Sequence, residues 1–227
     1  MTRDSYLLLS PSKSNLNKRN AMPTLLHLDA SPRGDFSISR QLSAAAVAAW
    51  KEKHPRGKVV ERDLSTTEMT FVDLDWIIGA FGTPDQLTDS QKSALAISET
   101  LFAELLEADE IVIGTPMYNF GVPAVVKAWI DHVVRAGKTF SYGATGPQGL
   151  AKGRKVVVAV ASGGSYDTDS GLEAYNYVIP YLRHILRFIG ITDVTFVQAG
   201  GSVRLVRNQI SSEEFMAPLL EQIKAAV

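Results

Sequence analysis

The sequence predicts an α/β protein built on a doubly wound parallel sheet. Five short apolar segments alternate along the chain with segments of helical periodicity, and no linker or repeat separates them. The apolar segments are continuous rather than alternating with polar residues, which is typical of strands that are covered on both faces. We therefore predict a single domain over residues 23–227.

The first half of this pattern begins with a strand at 24–28, which lies between Pro23 and a turn-forming segment that starts at Asp29. Alanine-rich helical spacing follows at 39–50, and a second strand is predicted at 59–64. A less regular stretch then leads to a helix at 88–106, whose first residues have the spacing of a capping box.

The second half contains the strongest strand, at 110–114, and repeats the alternation. The further predicted elements are a helix at 122–135, a glycine-rich connection at 137–153, a strand at 155–160, a loop at 161–171, a helix at 173–189, a strand at 194–197 and a helix at 211–226.

Composition restricts the function classes. The 227 residues carry a net charge of −1, which favours neither nucleic acid nor an anionic membrane as a partner. The absence of cysteine excludes disulfides, thiolate metal ligands and cysteine nucleophiles, and it is compatible with a predicted cytoplasmic location. No metal site is predicted. Residues 1–22 are predicted to be a disordered tail or the product of an upstream start, with Met22 as the natural beginning.

Ligands of an open parallel sheet bind beyond the carboxyl ends of its strands, where the strand order reverses. Loops at 31–39, 115–121 and 161–166 follow the first, third and fourth predicted strands. If those strands are neighbours, the three loops converge on one cleft.

The first loop is a candidate phosphate site. Ser37 and Ser39 stand two residues apart at a helix start, where hydroxyl groups, free N–H groups and the helix dipole favour an anion. The same pattern is also typical of a simple N-cap, because serine is a preferred capping residue. Spacing alone leaves both interpretations open.

The second loop places Met117, Tyr118 and Phe120 where solvent exposure disfavours large apolar side chains. A flat aromatic cofactor would account for them, with Asn119 contacting its polar edge, although they would also serve to cover the core. The glycine pair at 163–164 in the third loop allows a close backbone approach to a ligand, or simply a turn.

Other enzyme classes lack their signatures in this sequence. There is no Gly-x-Gly-x-x-Gly after the first strand, no complete Walker-type phosphate loop, no His-Glu-x-x-His and no Gly-x-Ser-x-Gly. The four histidines are scattered. His27 is predicted to be a packed strand residue, and His132 to lie in solvent or at an interface.

Motifs in a fixed order give the chain a family resemblance. They are Thr-Pro-Met-Tyr-Asn-Phe at 115–120, Lys127, Arg-Ala-Gly-Lys-Thr-Phe at 135–140, Tyr142, Gly-Pro-Gln-Gly-Leu at 146–150, Ser-Gly-Gly at 162–164 and Phe-Ile-Gly-Ile-Thr-Asp-Val at 188–194. From Thr24 onward the chain resembles the FMN-dependent NADH-azoreductases, also described as NADH:quinone oxidoreductases. The resemblance implies a flavodoxin-like fold with strand order 2-1-3-4-5 and helices on both faces.

The resemblance also implies roles for individual residues. Those expected to hold the FMN phosphate are Ser31, Ser37, Ile38 and Ser39; those expected around the flavin ring are Pro116, Met117, Tyr118, Asn119, Phe120, Ala161, Ser162, Gly163 and Gly164; and those expected in the substrate pocket are Phe140 and Tyr142. Ala161 stands where relatives often carry a hydroxyl group, so one hydrogen bond is expected to be missing there.

The activity implied by the resemblance is the transfer of hydride from NADH or NADPH through a tightly bound FMN to quinones and azo compounds, in a ping-pong sequence. Because the cofactor performs the chemistry, no catalytic acid–base pair is expected. The alternative is an FMN electron carrier or regulator that does not turn over nicotinamide. A net charge near zero and aromatic side chains that could wall an acceptor pocket favour the enzyme.

The resemblance further implies a homodimer whose sites are bordered by the partner subunit. The apolar segment 76–81 is the predicted contact surface, since Ile77 and Phe81 stand four residues apart and would share one face of a short helix. A self-complementary patch across a two-fold axis would cover it. Local core packing is the alternative.

Overall fold

The computed structural model describes residues 22–144 and 146–227. All of the predicted tail except Met22 lies outside these residues. The five predicted strands form one parallel sheet; they are β1 (Thr24–Asp29), β2 (Lys58–Asp63), β3 (Glu110–Pro116), β6 (Lys155–Ala161) and β7 (Asp193–Ala199). Their order in the sheet is β2-β1-β3-β6-β7. Counted among the five predicted strands, this is the predicted topology 2-1-3-4-5.

Two further strands form an antiparallel hairpin that the sequence analysis treated as a glycine-rich connection. They are β4 (Phe140–Gly143) and β5 (Gly146–Gly149). Glycines conceal the strand pattern here, and at Gly149 packing requires one: a Cβ atom would lie 2.1 Å from the backbone nitrogen of Gly190. The hairpin therefore rests directly on the backbone that precedes β7.

The described helices are α1 (Ile38–Lys53), α2 (Leu74–Phe81), α3 (Asp89–Glu107), α4 (Ala124–Val133), α5 (Val178–Phe188), α6 (Val203–Val206) and α7 (Ser212–Ala226). The capping box predicted at the start of α3 is present, with Thr88 and Gln91 exchanging hydrogen bonds. The prediction of one continuous helix from 173 is wrong. Residues Glu173–Tyr175 form only a short turn of 3-10 helix, and α5 begins at Val178, where the side-chain oxygen of Asn176 accepts from the amide of Ile179 at 3.2 Å.

The buried apolar residues form two cores. Leu26 and Leu28 of β1 lie in a core that includes residues of α3, α4 and α5, whereas Leu25 lies in a core built with α1 and α7. Successive residues of a strand point to opposite faces, so β1 contributes to both cores. This double burial explains why the strands read as continuous apolar runs. Within the described residues, no helix combines the length and apolar character needed to cross a membrane.

Candidate functional site

The loop from β1 to α1 forms a serine-lined helix start. Ser31, Ser37 and Ser39 are all buried. Ser37 is the N-cap of α1, where its hydroxyl accepts from the amide of Arg40 at 3.5 Å and lies 3.1 Å from the Ser39 hydroxyl. The first turn of α1 contains no acidic residue, so nothing in that turn opposes an anion at the positive end of the helix.

Arg40 fixes the shape of this loop, a role that sequence reasoning missed. Its Nε donates to the carbonyl of Ser31 at 2.7 Å, and its Nη2 donates to both carboxylate oxygens of Asp63 at 2.7 Å. Burial raises the pKa of Asp63, but hydrogen bonds from Arg40 and Ser65 outweigh it and the pKa is lowered overall. The arginine thus ties the loop to the end of β2.

Gly114 allows α1 to lie directly against β3. A Cβ atom at this position would lie 2.3 Å from Oδ1 of Asp29, 2.7 Å from the Ser43 hydroxyl and 2.9 Å from the Ser39 carbonyl. Ser43 in turn donates to Asp29 at 2.7 Å. Close contact at Gly114 therefore sets the distance between the helix start and the loop that follows β3.

That loop is a tight turn with an unusual backbone. Tyr118 and Gly121 exchange two backbone hydrogen bonds, each 3.0 Å long, and the two residues between them have positive φ angles, 48° at Asn119 and 69° at Phe120. Asparagine tolerates this region, but a bulky residue there is a conformational outlier. Such strain persists only where the surroundings impose it, and it clusters at functional sites.

Contacts from a neighbouring loop hold Phe120 in place. The carbonyl of Phe120 accepts from the amide of Tyr177 at 3.0 Å. Its ring lies 5.9 Å from that of Tyr166, edge-on, and 5.6 Å from that of Tyr175. The aromatic side chains of the turn and of the segment before α5 therefore form one wall.

The third predicted loop, after β6, lies beside the other two. The amide of Met117 donates to the carbonyl of Ala161 at 2.7 Å, and the hydroxyl of Ser162 donates to the carbonyl of Gly164 at 2.8 Å. The amide of Val203, at the start of α6, donates to the carbonyl of Gly163 at 3.1 Å. Neighbouring elements thus fix this loop from both sides.

Two clefts open between these loops. The first, of about 190 Å³, is lined by Ser31, Arg33, Ser37, Ile38, Pro116, Met117, Tyr118, Ala161, Ser162, Gly163 and Ser202. The second, of about 250 Å³, is lined by Met117, Asn119, Phe120, Ser162, Gly163, Gly164 and Tyr166. The two clefts share Met117, Ser162 and Gly163 and therefore adjoin each other. Every residue predicted to bind cofactor lines one of them except Ser39, which is buried behind Ser37.

The two residues predicted for the substrate pocket lie elsewhere. Phe140 is buried with its ring 4.7 Å from that of Phe188, and Tyr142 is 75% exposed on the hairpin. Neither lines the two clefts. Conversely, sequence reasoning did not select Arg33 or Tyr166, although they stand inside the first and third loops, or Ser202, which only the tertiary fold brings to the first cleft.

The predicted dimer segment forms α2, which has one buried and one exposed side. Trp76 is buried and donates its indole N–H to Nδ1 of His132 at 3.2 Å. Ile77, Ile78 and Phe81 are exposed. The prediction that His132 lies in solvent or at an interface is wrong, because its ring is fully buried and also bonds to the carbonyl of Thr70 at 2.8 Å.

These clefts fit a phosphorylated ligand with a flat ring. The helix start with its buried serines and Arg33 suit a phosphate group, and the apolar and aromatic walls of the second turn suit a planar ring. Within residues 22–144 and 146–227, no three histidine, aspartate or glutamate residues are grouped to hold a metal ion. The sheet order and the position of the clefts define a nucleotide-binding protein of the flavodoxin type.

Comparison with known proteins agrees with this class. The family described as having a flavodoxin-like fold matches residues 23–223. The FMN-dependent NADH:quinone oxidoreductase of Acidobacterium capsulatum is 43% identical to this chain, over 89% of the chain and 98% of the relative. A Jannaschia relative, FMN-dependent NADH:quinone oxidoreductase 2, is 46% identical, over 90% and 99%. The chain belongs to the family of these FMN-dependent NADH:quinone oxidoreductases within the flavodoxin-like fold.

Solved structures extend the comparison. A Bacillus anthracis azoreductase superposes with a TM-score of 0.81 at 32% identity, covering 90% of this chain and 98% of that one. An FMN-dependent NADH-azoreductase from the same species, solved in complex with FMN, superposes with a TM-score of 0.80 at 25% identity, covering 90% and 97%.

Proposed function

We propose that this chain is an FMN-dependent oxidoreductase that uses NADH to reduce quinones and azo compounds. The observation that carries the proposal is that the two clefts adjoin: a helix start suited to phosphate lies at one end, and a strained aromatic turn lies at the other. Relatives of nearly the same length bear the name of this activity.

The residues of the first cleft would hold the phosphate of FMN. The Ser37 hydroxyl, the N–H groups of the first turn of α1 and the Arg33 guanidinium are the donors available there. When bound, the flavin supplies hydride acceptance and hydride donation at its ring. Met117 belongs to both clefts and marks the boundary between the phosphate end and the ring end.

The residues of the second cleft enclose the place of reaction. Phe120 and Tyr166 provide an apolar wall that excludes water, and the backbone around Gly163 permits a close approach. Donor and acceptor would reach the ring through this same opening. We propose on that ground that they bind in turn, which is the basis of a ping-pong sequence.

The homodimer belongs to the proposal as well. The exposed side of α2 presents Ile77, Ile78 and Phe81 together, and a second copy of the chain would remove this apolar surface from water. In such a dimer the hairpin residues Phe140 and Tyr142 would serve as candidate walls of a site completed by the partner. We place the protein in the cytoplasm, which suits a chain without cysteine.

Rapid mixing of the FMN-loaded protein with NADH under anaerobic conditions tests the proposal. We expect loss of the yellow flavin absorbance within the turnover time, and its return when a quinone is added. A flavin that is not bleached by NADH would favour an electron carrier. Protein that fails to take up added FMN would contradict both.

A further inference from the structure

A third cleft, of about 200 Å³, begins where the first cleft ends. The two share Arg33, Ile38 and Ser202, whereas the third cleft shares no lining residue with the second. It therefore extends from the phosphate end of the site and not from the ring end. The proposed binding of FMN does not use this space.

Large apolar side chains border the third cleft. Phe36 is 81% exposed on the short turn before α1, and Val206 is 79% exposed at the end of α6. Both line the cleft, together with the half-buried Leu205. An exposed aromatic ring beside aliphatic side chains is a surface on which a planar base can stack.

Polar groups at fixed positions accompany this surface. The side-chain N–H group of Gln41 donates to the carbonyl of Asp35 at 2.8 Å, which leaves its side-chain oxygen as an acceptor in the cleft wall. Ser212 adds a hydroxyl. An acceptor and a hydroxyl beside a stacking surface complement a base with an exocyclic amino group, such as adenine.

Arg33 lies at the junction of the first and third clefts. The start of α1 would bind one phosphate in the first cleft. The Arg33 guanidinium lies beside that position, where it could bind a second phosphate joined to the first. A pyrophosphate carries its two phosphates in this arrangement. A ligand that followed both clefts would thus place there, in order, the flavin phosphate, a second phosphate and an adenosine.

We propose that the third cleft is a subsite for the adenylate half of FAD, so that the chain accepts the flavin dinucleotide as well as the mononucleotide. This proposal rests on the proposed function, since it requires flavin in the first two clefts. The adenylate half of NADH has the same chemical groups and is the other ligand that could occupy the third cleft. The nicotinamide of NADH must reach the second cleft, which has no residue in common with the third, so the structure favours FAD.

Titration of flavin-free protein with FMN and with FAD, followed by quenching of flavin fluorescence, tests the subsite. In Phe36→Ser we expect the Kd for FAD to rise about tenfold, the effect of losing one stacked base, while the Kd for FMN stays within about twofold. Phe71→Ser is the matched control, because Phe71 is 77% exposed but lines none of the three clefts. It should change neither Kd.

The outcomes separate this proposal from the one on which it rests. If neither flavin binds the wild-type protein, the proposed function fails. If FMN binds but FAD does not, or if Phe36→Ser leaves the FAD affinity unchanged, only the subsite is wrong. A rise in KM for NADH in Phe36→Ser, with no change in FAD affinity, would assign the cleft to the adenylate of NADH and overturn its assignment to FAD.

Discussion

Replacing Gly114 by alanine tests whether the contact between β3 and α1 sets the geometry of the phosphate end. The new methyl group would lie 2.3 Å from a carboxylate oxygen of Asp29 and 2.9 Å from the carbonyl of Ser39. The carbonyl belongs to the helix backbone and cannot rotate away. Either α1 shifts outward, taking Ser37 with it, or the hydrogen bond from Ser43 to Asp29 breaks.

The magnitude follows from these alternatives. Overpacking of a tight site costs about 1–3 kcal/mol, and loss of a hydrogen bond to a charged group costs about 1.5–3 kcal/mol. Alanine lowers the conformational entropy of the unfolded chain relative to glycine, which offsets about 0.4–1 kcal/mol of this loss in stability. Because only one of the two costs applies, we expect the free energy of unfolding of Gly114→Ala to fall by about 0.5–2.5 kcal/mol. If α1 shifts, the Kd for FMN should rise because the helix start has moved.

Urea unfolding of the flavin-free protein measures the first effect, and FMN titration measures the second. Gly121→Ala is the control for stability, since a Cβ atom there would have its nearest neighbour at 3.9 Å. If Gly114→Ala unfolds at the wild-type urea concentration and binds FMN with wild-type affinity, the close contact does not govern the site.

Three further predictions concern the phosphate end, the proposed dimer and acid stability. The double variant Ser37→Ala, Ser39→Ala should raise the Kd for FMN at least tenfold in a fluorescence titration, because it removes the Ser37 hydroxyl and the Ser39 hydroxyl that lies 3.1 Å behind it, and one hydrogen bond to a charged group contributes about 1.5–3 kcal/mol; an unchanged Kd would leave the serines as helix caps only. Phe81→Asp should shift the protein toward monomer in light scattering and lower turnover, since a charge would replace an apolar side chain that is 76% exposed in the monomer; an intact, fully active dimer would place the interface elsewhere. The pKa of Asp63 is lowered in the folded protein, so its pairing stabilises the fold above the unfolded value of about 4 and is lost as the pH falls through the lower folded value. Asp63→Asn should therefore be less stable than wild type at pH 7, and the difference in free energy of unfolding should shrink below about pH 4; a difference that is constant with pH would show that the carboxylate charge is not involved.

The strands and the three site loops could be predicted from the sequence because each has a local signature. Continuous apolar runs mark β1, β3 and β6, which are buried on both faces, and turn residues end each run. The first loop is recognisable by its serines at a helix start, and the second by large aromatic side chains in a loop. In each of these cases the physical cause lies within about ten residues of the chain.

The features that were missed depend on contacts between distant segments. Ser202 reaches the first cleft only because the loops after β6 and β7 lie side by side. Nothing in the sequence around His132 indicates burial; Trp76 and Thr70, both distant along the chain, contact the two ring nitrogens of His132. The β4–β5 hairpin was missed because glycines interrupt its strand pattern; the need for one of them, Gly149, comes from packing against the distant Gly190.

The contacts between Phe120 and the segment before α5 have a consequence for the evolution of acceptor preference. One backbone hydrogen bond from Tyr177 and the rings of Tyr166 and Tyr175 connect that segment to the strained turn. A substitution that changes the conformation of the turn therefore removes contacts that hold the segment before α5, and the reverse is also true. The effects of substitutions in the turn and in the segment are therefore coupled. Libraries that change the turn and the segment together should yield altered substrate ranges more often than libraries that change one of them.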